Sequence, residues 1–241
     1  DSNSTISVDD SSGNTSVYTI TSVGPEDGYS GSLAFHPANT GEIWFSANDG
    51  GGIYRSEDGG DTWNSVSSTP ANQSSYSLTF DTTNTDLIYA PNHFGRGFLK
   101  SNDGGSTWTT TGEGLPSDTT DPEDKRFNDF AIDATNNNIV YACTGHGLYK
   151  STDYGDNFTF LPATLVSNND ATNDNAFTCE VVTVSKSGPS LGQIFVGTEE
   201  GGIYISTDQG VSWSICLDDA SGGLPITALE TTDHALYMAM N

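Results

Sequence analysis

Short apolar segments alternate with polar turns along most of the chain, and no stretch keeps the 3.6-residue apolar period of an amphipathic helix. This pattern predicts an all-β protein in which helices are absent or minimal.

The segments form four successive groups, within which they are named strands A to D in chain order. Predicted strands A, B and C are 32–35, 42–45 and 52–55 in the first group, 76–80, 87–90 and 97–100 in the second, 130–132, 139–142 and 147–150 in the third, and 179–184, 193–196 and 202–205 in the fourth. Strand D of each group begins with an aromatic residue, which in chain order is Trp63, Trp108, Phe158 or Trp213.

One turn motif recurs between strands C and D of every group. It reads Ser-x-Asp-x-Gly before the aromatic residue that opens strand D, and its aspartates are Asp58, Asp103, Asp153 and Asp208. These aspartates are 45, 50 and 55 residues apart, a repeat length that predicts the four-stranded antiparallel blades of a β-propeller. An aspartate accepts hydrogen bonds from its own turn, the glycine permits a positive φ, and the aromatic ring packs on a neighbouring sheet. The motif residues are therefore predicted to be structural.

The motif and its spacing resemble the Asp-box (BNR) repeats of sialidases, sortilin-type receptors, xyloglucanases and photosystem-assembly propellers. The resemblance covers most of residues 30–217. It implies a β-propeller fold. It does not select one function, because the motif occurs in enzymes, receptors and assembly factors alike.

The two ends of the chain carry further strand patterns. Segments 224–229 and 235–240 predict strands A and B of a fifth blade, and segments 5–8 and 16–20 predict its strands C and D. The predicted single domain 1–241 therefore contains blade 1 at 30–68, blade 2 at 75–112, blade 3 at 126–162, blade 4 at 176–217, and a fifth blade made of 224–241 and 1–24. Closure within one molecule hides sheet edges and is favoured by effective concentration. The alternatives are strand exchange between neighbouring molecules, which builds head-to-tail rings or filaments, and membership of a longer propeller.

The charge balance restricts the partners. With 32 acidic and 7 basic residues the net charge is −25, so the surface repels nucleic-acid phosphates and anionic lipid headgroups. No apolar run reaches the length of about 18 residues that a membrane-spanning helix needs. We therefore expect neither nucleic-acid binding nor membrane insertion.

Cysteines and sequons bear on the cellular location. Three cysteines permit at most one disulfide, and Cys143 lies in an apolar strand, so we expect it to be a buried free thiol. The chain begins without a signal-peptide pattern and is expected to be processed or trimmed. We predict a secreted or cell-surface protein, with four N-x-Ser/Thr glycosylation candidates: Asn3, Asn14, Asn72 and Asn157.

The loops between strands B and C are the candidate ligand site, because they converge near the pore on one face of a propeller. Their candidate binding residues are Asn48, Asp49, His93, Phe94, Arg96, His146, Glu199 and Glu200. We expect a protein or a carbohydrate as the partner. His93, His146 and Asp49 are interpreted as polar loop residues rather than as a metal site. No cofactor is predicted, and weak Ca²⁺ binding by the acidic segment 118–124 is the alternative to a solvated loop.

Segment 46–55 resembles the xyloglucanase loop that carries a catalytic aspartate, and the resemblance assigns that role to Asp49. Glu200 is then the candidate second carboxylate, since glycoside hydrolysis needs two. Those enzymes have two large propellers, whereas this chain supplies one small one. A sialidase is disfavoured because its three-arginine clamp would require every arginine of the chain, Arg55, Arg96 and Arg126. We therefore predict a non-catalytic extracellular binding or assembly module, with a xyloglucanase-related glycoside hydrolase or a subunit polymerising by strand exchange as alternatives.

Overall fold

A computed structural model describes ten ranges of the chain: 4–9, 15–20, 31–47, 52–66, 77–91, 98–116, 127–161, 178–217, 224–233 and 235–240. Within them the secondary structure is twenty β-strands and one short 3₁₀ helix, Gly188–Ser190. No helix in these ranges has the length and apolar character needed to cross a membrane.

Sixteen of the strands form four antiparallel sheets, each a meander of four strands in chain order, which we call blades 1 to 4. Blade 1 contains β3 (Gly31–Phe35), β4 (Ile43–Ala47), β5 (Gly52–Ser56) and β6 (Asn64–Ser65). Blade 2 contains β7 (Thr79–Phe80), β8 (Ile88–Pro91), β9 (Phe98–Ser101) and β10 (Thr109–Thr111). Blade 3 contains β11 (Phe127–Ile132), β12 (Val140–Thr144), β13 (Gly147–Ser151) and β14 (Phe158–Phe160). Blade 4 contains β15 (Cys179–Val184), β16 (Ile194–Thr198), β17 (Ile203–Ser206) and β18 (Ser214–Leu217).

The remaining strands form two hairpins. One contains β1 (Ser4–Asp9) and β2 (Thr15–Ile20), and the other contains β19 (Ile226–Thr231) and β20 (Leu236–Met240). The predicted strands at both ends of the chain are thus present. The hairpins are separate two-stranded sheets, and in the described part of the chain no ladder joins them. Closure of a fifth blade by both termini therefore stays a prediction.

The strand boundaries follow the sequence pattern closely in all four blades. Two departures stand out: strand A of blade 2 contains only Thr79 and Phe80, the two residues that pair with β8, and strand A of blade 3 begins at Phe127, three residues before its predicted start. Each blade repeats the order A, B, C, D from one edge of its sheet to the other.

The hydrophobic core consists of layers between successive sheets, as expected when sheets pack face to face. Between blades 1 and 2 the buried side chains include Trp44, Ile53, Phe80 and Trp108. Between blades 2 and 3 they include Tyr89, Phe98, Phe130 and Phe158, and between blades 3 and 4 they include Tyr141, Leu148, Val182 and Ile194. A smaller layer joins blade 4 to the β19–β20 hairpin through Val181, Phe195, Ile203, Ile226 and Leu229.

The four C–D turns share one set of local hydrogen bonds. In the first, Ser56 Oγ accepts the Gly60 N–H and donates to Asp58 Oδ1, both at 2.8 Å. Asp58 also accepts the backbone N–H of Thr62 at 2.8 Å and its hydroxyl at 2.6 Å. The Thr62 hydroxyl, followed by the backbone donor, lowers the pKa of Asp58 to about 2. The corresponding bonds occur around Asp103, Asp153 and Asp208.

Each later C–D turn also lies against the preceding blade. Gly155, with φ of 81°, is so close to blade 2 that a Cβ atom there would lie 2.5 Å from Phe98 Cζ. Two lysines add polar contacts of the same kind. Lys100 Nζ donates to Asp156 Oδ1 at 2.8 Å, and Lys150 Nζ donates to the Gln209 carbonyl at 3.0 Å.

A disulfide also joins two blades. Cys143 in β12 is bonded to Cys179 in β15, with the two Cα atoms 5.1 Å apart, so the prediction of a free thiol at Cys143 is wrong. Strand B of blade 3 lies beside strand A of blade 4, a proximity that a separation of 36 residues along the chain does not reveal. Cys216 is the remaining thiol and is exposed.

Candidate functional site

The candidate site lies at the end of the blades where strand B turns into strand C. In an antiparallel meander the A–B and C–D turns lie at one end and the B–C turns at the other. The structure describes the B–C turns of blades 3 and 4. The B–C candidates of blades 1 and 2, Asn48, Asp49, His93, Phe94 and Arg96, fall outside the described residues, so their arrangement stays a prediction.

His146 lies in the tight turn between β12 and β13. The buried Thr144 hydroxyl accepts the His146 N–H at 3.1 Å and donates to the Gly147 carbonyl at 2.9 Å, which fixes the turn. The imidazole packs beside Phe160 of the same blade, with ring centroids 6.2 Å apart. These contacts support a packing role for His146, whose side chain is half-buried.

Glu199 and Glu200 form the turn between β16 and β17, and both side chains are exposed. Thr198 holds this turn as Thr144 holds the previous one, because its hydroxyl accepts the Gly202 N–H at 3.1 Å. The Glu199 N–H donates to the Thr178 carbonyl at 3.1 Å, which ties the turn to the beginning of β15. The two carboxylates are therefore presented to solvent from a backbone that is held firmly on both sides.

The structure adds two residues that the sequence analysis did not single out, Asn128 and Asp129. They lie in β11, at a β-bulge opposite Cys143 and Thr144, and thus at the same end of the blades as His146. Asn128 Nδ2 donates to the Cys179 carbonyl at 2.6 Å, and Asp129 Oδ2 accepts the Val182 N–H at 3.0 Å. Both side chains therefore bind the backbone of the inner strand of blade 4.

Burial raises the pKa of Asp129 from its ordinary value of 3.8 to about 7, even though the Val182 and Phe130 N–H groups oppose the shift. A carboxyl that titrates near neutrality can serve as a general acid or base. The same residue also has a structural role, because it satisfies a backbone donor on a sheet edge. The sequence signal was the polar pair Asn128 and Asp129 between the apolar strand residues Phe127 and Phe130.

The start of β15 brings these features together. Thr178 and Cys179 are consecutive, and their carbonyls accept from the Glu199 turn and from Asn128, respectively. The described part of the site is thus a rigid inner segment flanked by exposed carboxylates on one side and by the partly buried Asp129 on the other. Among the described residues, no three His, Cys, Asp or Glu side chains form a group that could hold a metal ion.

Comparison with known proteins identifies the architecture. No family model matches the chain. A xyloglucanase from Hypocrea jecorina is 30% identical over 126 residues, which cover 45% of this chain and 15% of that enzyme. Among solved structures, a xyloglucanase of glycoside hydrolase family 74 from Xanthomonas campestris matches 94% of this chain with a TM-score of 0.66 at 17% identity. The fold is a β-propeller.

A second solved structure with this propeller is an extracellular domain from B. thetaiotaomicron, described as part of a one-component system. It matches 90% of the chain with a TM-score of 0.60 at 15% identity. The chain spans 15% of the Hypocrea jecorina enzyme, 38% of the Xanthomonas campestris enzyme and 26% of the extracellular domain. At these identities the solved structures establish the fold, whereas the partial sequence match links part of the chain to one xyloglucanase.

Proposed function

We propose that this chain is the propeller of a glycoside hydrolase related to xyloglucanases, and that its B–C face contributes carboxylates to a site for a β-glucan such as xyloglucan. The observation that carries the proposal is the 30% identical match to a xyloglucanase. The exposed Glu199 and Glu200 on a rigid turn, and the resemblance of the loop around Asp49 to the catalytic loop of those enzymes, support it. In this assignment Asp49 and Glu200 are the reacting pair.

The second candidate function is glycan or protein binding without hydrolysis. It is favoured by the coverage, because the chain spans 15% of the enzyme that it matches. A propeller that supplies one wall of a two-walled cleft would hold a polysaccharide without cleaving it.

One experiment separates the two functions. Xyloglucan hydrolysis is measured as released reducing ends and binding by affinity electrophoresis, for the parent chain and for Asp49→Asn, Glu200→Gln and Asp61→Asn. Asp61 is exposed in a C–D turn at the opposite end of blade 1 and serves as the matched control. We expect hydrolysis that falls at least about 100-fold in the first two variants and is unchanged in the control. Binding without hydrolysis would establish glycan binding instead, and failure of the parent to bind or cleave any β-glucan would overturn both the hydrolase and the glycan-binding function.

We further propose that the C–D turns are Asp boxes and that β1–β2 and β19–β20 complete a fifth blade. Apolar side chains on both sides of the gap support closure. On β20, Tyr237, Met238 and Met240 are 60, 46 and 42% exposed, and on β3, Leu33 and Phe35 are 54 and 68% exposed. Insertion of the β1–β2 hairpin would cover such surface and pair the free edge of β20.

Deleting residues 1–20 tests closure. The truncated chain should lose stability and bind more of a hydrophobic dye, while the parent stays monomeric in light scattering. Rings or filaments of the parent that disappear on deletion would support strand exchange between molecules instead. Identical stability and dye binding of both chains would contradict closure.

A secreted or cell-surface location is proposed on two grounds. The Cys143–Cys179 disulfide is typical of an oxidising compartment, and one structural neighbour is an extracellular domain. In such a compartment the sequons at Asn3, Asn14, Asn72 and Asn157 would be available for glycosylation. Mass spectrometry of the protein from its native source tests both points, and reduced cysteines without glycans would contradict them.

A further inference from the structure

A cavity of about 370 Å³ lies at the other end of the blades from the B–C turns. It is lined by the inner strands β7, β11 and β15 and by the A–B turns that follow them. Its volume falls in the range of about 300 to 1,000 Å³ that is typical of small-molecule sites. Because A–B and B–C turns lie at opposite ends of a blade, this cavity is separate from the proposed glucan site.

Three sheet edges face the cavity. The strands β7, β11 and β15 are each the terminal strand of their sheet. On such an edge, alternate residues have N–H and C=O groups without a partner in the ladder. Apart from the Val182 N–H, which Asp129 accepts, such groups of the lining are donors and acceptors for a ligand with several hydroxyl groups.

Two threonine hydroxyls add to this lining. Thr79 and Thr183 occupy equivalent positions in β7 and β15, and Ala131 occupies that position in β11 between them. Neither threonine hydroxyl is hydrogen-bonded to another described residue. Ala131 and Ile132 line the cavity between these positions and give it an apolar wall.

Lys186, directly after β15, brings a positive charge to the cavity. The other cations of the described residues are engaged, Arg55 with Glu42, Lys100 with Asp156 and Lys150 with the Gln209 carbonyl. Lys186 is exposed and has no ion pair or hydrogen bond with any described residue. In a chain with a net charge of −25, an ammonium group without a carboxylate partner is available for an anion.

The nearby aspartates are committed to the protein itself. Asp81 Oδ1 accepts the N–H groups of Thr83 and Asn84, and its Oδ2 accepts from Asn137 of the next blade at 2.8 Å. Asp133 Oδ1 accepts in the same way from its own turn. Both aspartates line the cavity, and neither forms an ion pair with Lys186, because their oxygens accept from turn N–H groups and, for Asp81, from Asn137.

We propose that this cavity is a second ligand site and that it binds a small polyhydroxylated carboxylate. The carboxylate group contacts the Lys186 ammonium, and the hydroxyl groups bind Thr79, Thr183 and the free strand edges. The apolar wall receives the carbon chain of the ligand.

Three probes of similar size test the proposal by isothermal titration calorimetry. D-gluconate carries both the carboxylate and the hydroxyl groups, sorbitol carries the hydroxyl groups alone, and hexanoate carries the carboxylate alone. We expect saturable binding of gluconate with a dissociation constant in the millimolar range, at least about tenfold tighter than that of either other probe. Gluconate binding should also weaken as salt is raised, because Lys186 is exposed.

Variants of the lining locate the site. Lys186→Gln should weaken gluconate binding about tenfold, and Lys186→Arg, the matched control, should retain it. Thr79→Val and Thr183→Val should each weaken binding several-fold.

Absence of saturable gluconate binding would show that the cavity is a water-filled channel, and equal binding by the parent and Lys186→Gln would place the ligand elsewhere. Equal binding of gluconate and hexanoate would refute the role of the hydroxyl groups. None of these outcomes depends on β-glucan hydrolysis, so the two proposals fail separately.

Discussion

Replacing Asp129 by asparagine tests whether a carboxyl between blades 3 and 4 resists ionisation. Asparagine keeps an oxygen that can accept the Val182 N–H, but it carries no charge. The folded pKa of about 7 lies above the unfolded value of 3.8. The contribution of this group to stability is therefore complete below pH 3.8 and is lost as the pH rises through 7.

The magnitude follows from the shift. The folded pKa is about three units above the unfolded value, and each unit corresponds to about 1.4 kcal/mol. Ionisation of Asp129 at pH 8 therefore lowers the free energy of unfolding by about 4 kcal/mol. Asp129 is partly exposed, and asparagine replaces one accepting oxygen by an amide nitrogen. We therefore expect Asp129→Asn to gain about 2 kcal/mol at pH 8 and almost nothing near pH 4. In a chain of this length that corresponds to an increase in Tm of about 4 to 8 °C at pH 8.

Urea denaturation followed by tryptophan fluorescence at pH 4, 6 and 8 measures the effect. Asp61→Asn, in an exposed turn, is the control and should change stability by less than about 0.5 kcal/mol at every pH. A variant Asp129→Asn that is less stable than the parent at pH 8 would refute the reasoning, and so would a difference that does not depend on pH.

The features that sequence predicted well are local. The C–D turn is formed by residues that lie within six positions of one another, such as Ser56, Asp58 and Thr62, so its hydrogen bonds can be anticipated from the motif. The repeat even predicts backbone conformation. The glycine two positions after each motif aspartate has the expected positive φ, for example 102° at Gly60 and 83° at Gly105, whereas the positive φ of 60° at Tyr154 and 59° at Gln209 was not predicted.

The features that sequence missed join one blade to the next. The partners Asp129 and Val182 are 53 residues apart, and the cysteines of the disulfide are 36 apart. Such contacts depend on how two sheets are placed against each other, which neither apolar alternation nor turn chemistry encodes. The arrangement of the candidate site could not be predicted for the same reason, because each blade contributes one B–C loop and these loops differ in sequence.

The disulfide and the turn glycines give the remaining predictions. Replacing Cys143 and Cys179 by alanine should lower the free energy of unfolding by about 4 kcal/mol, the chain-entropy value for a separation of 36 residues. If urea denaturation shows that the free energy of unfolding falls by less than about 1 kcal/mol, the chain-entropy explanation would be contradicted. Alanine at Gly155 should destabilise the protein more than alanine at Gly59. Their φ angles of 81° and 78° impose the same backbone cost of about 1 kcal/mol. At Gly59 a Cβ meets nothing within 4 Å, whereas at Gly155 it lies 2.5 Å from Phe98, which adds about 1 to 3 kcal/mol of overlap. Equal losses of stability in the two variants would show that the C–D turn of blade 3 is not in close contact with blade 2.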